Sequence, residues 1–94
     1  MQDILIKFSF YLDIRMVRFP AKDGKVCGNQ SNRVFKLWTT DATEDKCKQE
    51  CIKNWDCVAF TLKYDFWCIG CRVSPYYNEQ WPEDAPAFRK EIGI

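Results

Sequence analysis

The sequence predicts an α+β domain: a small, disulfide-stapled antiparallel sheet with one helix packed on it. Three observations carry this. Six cysteines fall within 94 residues. Two stretches, 4–17 and 57–64, alternate in polarity with period two, as strands with a buried face do. A third stretch, Ala42 to Lys53, contains neither Gly nor Pro and leaves that period behind.

Ninety-four residues fit a single domain, 1–94. A domain of this size buries roughly 60–65% of the surface its unfolded chain exposes, so its core is thin and cross-links matter. Apolar residues make up 47% and aromatics 16%, too much for a disordered chain. Fourteen basic and thirteen acidic side chains leave a net charge of +1, which excludes the basic field of a nucleic-acid binder. No apolar run reaches the roughly 18–20 residues of a membrane-spanning helix. Lys7, Asp13 and Arg15 interrupt the apolar N-terminal stretch and no small-residue cleavage site follows, so it does not read as a signal peptide. A targeting segment for export is expected to lie outside this sequence.

The first element is one long strand. Ile4, Ile6, Phe8, Phe10, Leu12, Ile14 and Met16 fall on one side, and Lys7, Ser9, Tyr11, Asp13 and Arg15 on the other. At about 3.3 Å per residue it would reach ~45 Å. Phe19-Pro20 ends it, because proline cannot donate to a ladder. Lys22-Asp23-Gly24-Lys25 reads as a turn. Val34, Phe35, Leu37 and Trp38 suggest a short strand. Asp41 is the expected N-cap of the helix, with Glu44 its capping-box partner. Cys47, Cys51 and Ile52 would face inward. Asn54-Trp55-Asp56 forms a turn, after which Cys57–Tyr64 and Phe66–Val73 make a hairpin. Residues 74–94 hold three prolines among Tyr76, Tyr77, Trp81 and Phe88, and read as an irregular segment packed on the body.

Six cysteines allow fifteen pairings, and sequence alone does not choose among them. Geometry narrows the set. Cys47 and Cys51 share a helix face at i, i+4 spacing. Cys51 and Cys57 can close the turn after the helix, and Cys47 can reach Cys68 on the hairpin. Cys27 and Cys71 remain, and whether they pair stays open. Small cysteine-dense domains are usually disulfide scaffolds, and that reading is favoured. A four-thiolate zinc site from Cys47, Cys51, Cys68 and Cys71 is the second reading, with poorer spacing and two cysteines left over. The third is a thiol-disulfide oxidoreductase using Cys68 and Cys71. Trp67-Cys68-Ile69-Gly70-Cys71 resembles the Trp-Cys-x-x-Cys of thioredoxin-like enzymes, but here it lies on a strand with no βαβ pattern around it.

Other candidates are fewer. Asn29-Gln30-Ser31 is an N-glycosylation sequon. Trp38 and Trp67 are expected in the core, and Trp55 and Trp81, in turn-like contexts, on the surface. Arg33, Lys36, Lys53, Lys63 and Arg72 read as solvated charges rather than an anion patch. The chain has no histidine, hence no Ser-His or Cys-His pair, and it has no Gly-rich phosphate loop. No metal or cofactor is expected.

Residues 27–71 resemble a PAN/apple domain. The resemblance rests on the helix with Cys47-x3-Cys51, the Asp56-Cys57-Val58-Ala59-Phe60-Thr61 strand, and the next strand with Cys68. It implies a helix cross-linked to a central strand of an antiparallel sheet, with Cys47–Cys68 and Cys51–Cys57 nested. A third bridge joining the ends, as in apple members, would here be Cys27–Cys71. The sixth cysteine, however, follows the fifth by three residues, where apple domains place it much later. The family implies a non-catalytic module that binds proteins or carbohydrates. The expected role is therefore an extracellular or oxidising-lumen binding or assembly module, one form being an accessory subunit of a larger complex. Its contacts would use the edge of the 4–17 strand, through Phe8, Phe10 and Tyr11, with Trp55 and Trp81 secondary.

Overall fold

The computed structural model describes residues 13–78 and 85–93. Seven strands and one helix follow in the order β1 (Asp13–Arg18), β2 (Lys25–Val26), β3 (Arg33–Trp38), α1 (Glu44–Lys53), β4 (Ala59–Lys63), β5 (Trp67–Cys71), β6 (Tyr77–Asn78) and β7 (Ala87–Gly93). The main sheet has the order β1-β7-β4-β5-β3 and every pair in it is antiparallel. β2 and β6 form a separate two-stranded ribbon. The α+β architecture expected from the sequence is present: an antiparallel sheet, one helix packed on it, and three disulfides.

β1 is the described part of the expected N-terminal strand. It pairs with β7 from Asp13↔Gly93 to Arg18↔Phe88. It stops just before Pro20, which opens a 3₁₀ turn where its missing N–H costs nothing. Residues 4–12, including Phe8, Phe10 and Tyr11, lie outside the described residues, as does Trp81.

The tail corrects one expectation. Residues 87–93 are not irregular: β7 lies between β1 and β4 in the sheet. Its alternation is hard to read because Arg89, Lys90 and Glu91 occupy its middle. They are tolerated because Arg89 and Glu91 reach water and pair with each other at 3.3 Å, while Lys90 Nζ donates to the Asn54 carbonyl.

The helix starts later than the sequence suggests. Thr43, not Asp41, is the N-cap, and its Oγ1 accepts from Lys46 N at 3.3 Å. Asp41 instead ends a 3₁₀ turn and pairs with Lys46 Nζ at 2.9 Å. Glu44 and Asp45 in the first turn and Lys53 in the last suit the helix dipole. Lys90 Nζ donates to the C-cap carbonyl of Asn54 at 3.0 Å, adding a cation there, and partial burial lowers its pKa from the usual lysine value.

The core has two parts, one on each side of the sheet. Between α1 and the sheet, Cys47 and Cys51 of the helix meet Met16, Phe60, Leu62, Cys68 and Phe88. Phe60 and Phe88 stack across β4 and β7 with ring centroids 4.8 Å apart. On the opposite side Val26, Cys27, Trp67, Ile69 and Cys71 form the second cluster. The central strand β4 is therefore buried on both faces, and its alternation does not separate core from solvent. Thr61 is fully buried, and its hydroxyl donates to the Lys25 carbonyl on β2. That bond satisfies a polar group which would otherwise carry a desolvation cost.

Candidate functional site

The cysteines come first, because they decide what chemistry is open. Cys47–Cys68, Cys51–Cys57 and Cys27–Cys71 are disulfides, and no cysteine is free. Cys47–Cys68 fixes α1 to β5. Cys51–Cys57 closes the turn from α1 to β4. Cys27–Cys71, left open by the sequence, ties the segment after β2 to the opposite side of β5.

Cys68 belongs to the core cluster under α1, and Cys71 to the cluster on the other side. Three residues apart on a strand, they point to opposite faces. The geometry does not bring them together as a redox dithiol. The same division separates Cys71 from Cys47, Cys51 and Cys68, so the four-thiolate zinc set is not assembled. Among the described residues no group of three or more His, Cys, Asp or Glu side chains is placed to hold a metal ion.

The surface offers a more specific feature. At the β4–β5 hairpin end, Trp38, Trp67 and Lys63 stand side by side on β3, β5 and β4 in ladder register. Trp67 is buried, at 8% exposure, but Trp38 is 55% exposed and Phe66 60%. Lys63 Nζ sits 4.6 Å from the Phe66 ring centroid. Tyr64, 52% exposed, donates from its hydroxyl to Glu44 Oε1 at 3.5 Å, on the helix side.

This end is held firmly. Asp65 adopts φ 65°, so the reversal closes with Phe66 N donating to Lys63 O at 3.0 Å. Thr39 N donates to Phe66 O at 3.1 Å, and Asp65 N to Ala42 O at 3.1 Å. Strand β3, the approach to α1 and the hairpin are thus tied at one corner. Three exposed aromatic side chains project from it.

The location of Trp38 corrects the expectation that it is core. It is the last residue of β3, which is outermost in the sheet, so among the described residues Trp67 flanks it on one side only. Trp55 is exposed as expected, at 74%, in the turn after α1. The sequence does not single out Phe66 and Tyr64. The available signal is Tyr64-Asp65-Phe66 itself, two aromatics flanking a turn aspartate that cannot both turn inward.

The five cations expected to be solvated do not converge. Arg33 Nε donates to Cys27 O at 2.8 Å, Lys53 pairs with Glu50 at 3.2 Å, and Arg72 stands 3.9 Å from Asp56. A shallow groove of about 310 Å³ between α1 and β3 is lined by Leu37, Asp41, Lys46, Gln49, Glu50 and Lys53. Its charges pair with one another, leaving none aimed at a ligand. Asn29 is exposed at the start of a 3₁₀ turn, where its Oδ1 accepts from Ser31 N at 3.0 Å.

Three disulfides fit an oxidising, extracellular-type environment. Among the described residues no helix is long and apolar enough to cross a membrane. Comparison of the chain with family models, curated proteins and solved structures gave no match.

Proposed function

We propose that this chain is a non-catalytic, extracytoplasmic binding or assembly module of the PAN/apple type that recognises a protein or carbohydrate partner. Service as an accessory subunit of a larger complex is one form of that role. Two features support the family reading: α1 cross-linked to β5 through Cys47–Cys68, and its exit turn closed by Cys51–Cys57.

The observation that carries the binding reading is the exposure of Trp38 and Phe66 at the tied corner. Large aromatics grouped on a surface mark interaction sites more often than scattered exposure does. A corner fixed by backbone hydrogen bonds also loses little entropy when a partner docks.

The test uses an array of immobilised glycans and a panel of purified extracellular proteins, probed with the disulfide-intact chain. A partner bound saturably by the native chain should lose roughly tenfold or more in affinity with the Trp38→Ala/Phe66→Ala double variant. Trp55→Ala, at a separate surface turn, should bind as the native chain does. A partner held equally well by the native chain and the double variant overturns the assignment of this corner.

A further inference from the structure

One exposed feature belongs to neither the aromatic corner nor the disulfide core. Asn29, Tyr76 and Tyr77 meet beside the β2–β6 ribbon. Asn29-Gln30-Ser31 has the acceptor pattern with no proline in the middle. Asn29 is exposed, and its Oδ1 accepts from both Ser31 N and Ser31 Oγ at 3.0 Å. Its side-chain nitrogen Nδ2 donates no hydrogen bond among the described residues. Tyr76 Oη accepts from Asn29 N at 3.2 Å, which brings the phenol end of a half-exposed ring to the acceptor residue. Tyr77 packs on the preceding Gly28, where an added Cβ would stand 3.0 Å from the Tyr77 side chain. Both tyrosines stay about half exposed although they hold the acceptor segment in place.

We propose that Asn29 is an N-glycosylation site and that Tyr76 provides the surface on which the first sugar rests. In the transfer, Asn29 Nδ2 attacks C1 of an oligosaccharide carried on a lipid pyrophosphate. The new C1–N bond replaces the C1–O bond, the lipid pyrophosphate departs, and Nδ2 gives up one proton. The disulfides fit the type of compartment in which this donor is used. In the folded product, exposure of Asn29 leaves room for the glycan. The C–H face of the first sugar meets the electron-rich face of the Tyr76 ring. The glycan would cover a tyrosine that the protein itself leaves half bare. This inference is independent of the binding role of the Trp38 corner.

The experiment is secretion of the chain from cultured animal cells behind a heterologous secretion signal. Intact mass and peptide mapping follow, before and after treatment with peptide N-glycosidase. A glycan at Asn29 is expected, with the enzyme leaving Asp in its place, and Ser31→Ala should be secreted bare. Native chain secreted with three disulfides but unmodified at Asn29 overturns the site. For Tyr76, the readout is the Tm difference between the glycosylated and enzyme-treated forms. The glycan should raise Tm by roughly 2–5 °C in the native chain and in Tyr76→Phe, which keeps the ring. That increment should vanish in Tyr76→Ala. An equal increment in all three overturns the part assigned to Tyr76.

Discussion

The ring of Phe35 on β3 lies across Gly70 on β5, so close that a Cβ at Gly70 would stand 2.1 Å from Phe35 Cε2. The two residues face each other in the β3–β5 ladder. An aromatic ring covering a glycine on the neighbouring strand restores packing that the glycine lacks. The glycine of Trp67-Cys68-Ile69-Gly70-Cys71 thus has a structural cause, and the motif needs no redox chemistry to account for it.

Gly70→Ala should therefore destabilise by overpacking, by about 1–3 kcal/mol. Phe35→Ala alone should also cost stability, because it uncovers the strand. Combined with Gly70→Ala, its cost should be less than the sum of the two single changes, since the clash is gone. Urea unfolding of the four proteins gives the coupling energy. Strict additivity would mean that the ring and the glycine do not constrain one another.

The three bridges should differ in weight. Cys27–Cys71 spans 44 residues and Cys51–Cys57 only 6. Loop-entropy reasoning gives roughly 4 kcal/mol for the first and roughly 2 kcal/mol for the second. Replacing each pair by serines and comparing urea midpoints checks the order. Partial reduction should likewise yield no two-electron couple between Cys68 and Cys71, because each sulfur leaves β5 on its own side.

A salt bridge sets part of the acid response. Asp23 takes both guanidinium nitrogens of Arg18 at 2.8 Å and accepts from Ala87 N at 2.9 Å. The Arg18 hydrogen bonds hold the Asp23 carboxyl below its usual 3.8, against an opposing effect of burial. The pairing correspondingly raises the pKa of Arg18. A carboxylate with a lowered folded-state pKa contributes stability fully above its unfolded pKa, and that contribution fades as pH falls through the folded value. Asp23→Asn should thus cost about 1–2 kcal/mol near neutrality, after allowing for solvent screening of a partly exposed pair. The gap from the native protein should shrink towards zero in strong acid. A gap that stays constant over the acid range would assign the effect to packing instead of charge.

What the sequence discloses about this fold follows from how local each signal is. The helix can be read because Cys47 and Cys51 fall on one face of a stretch without Gly or Pro. Its start is ambiguous because Asp41 and Thr43 are both good N-caps, and only the folded turn decides which side chain meets Lys46 N. β7 is hidden because its middle is charged, and those charges are accommodated by the Arg89–Glu91 pair and by the Asn54 carbonyl that takes Lys90, the second a partner far off in sequence. The exposure of Trp38 depends on β3 being outermost, a property of strand order and not of the strand itself. Cys27–Cys71 is equally non-local, since it requires the segment after β2 to reach the second face of β5.

The two tryptophans that stand side by side in the ladder should separate stability from binding. Trp67 is buried against Val26, Cys27 and Ile69, so Trp67→Ala should cost about 3–5 kcal/mol and leave a cavity. Trp38 and Phe66 keep more than half of their surface exposed in the fold. Trp38→Ala and Phe66→Ala should each cost about 1–2 kcal/mol in urea unfolding, well below the cost of Trp67→Ala. On the proposed binding role, their larger effect falls on a partner's dissociation rate, with the association rate nearly unchanged. If truncating Trp38 instead unfolds the protein as truncating Trp67 does, its ring is a strut of the sheet edge. The aromatic corner would then have no claim to be a recognition surface.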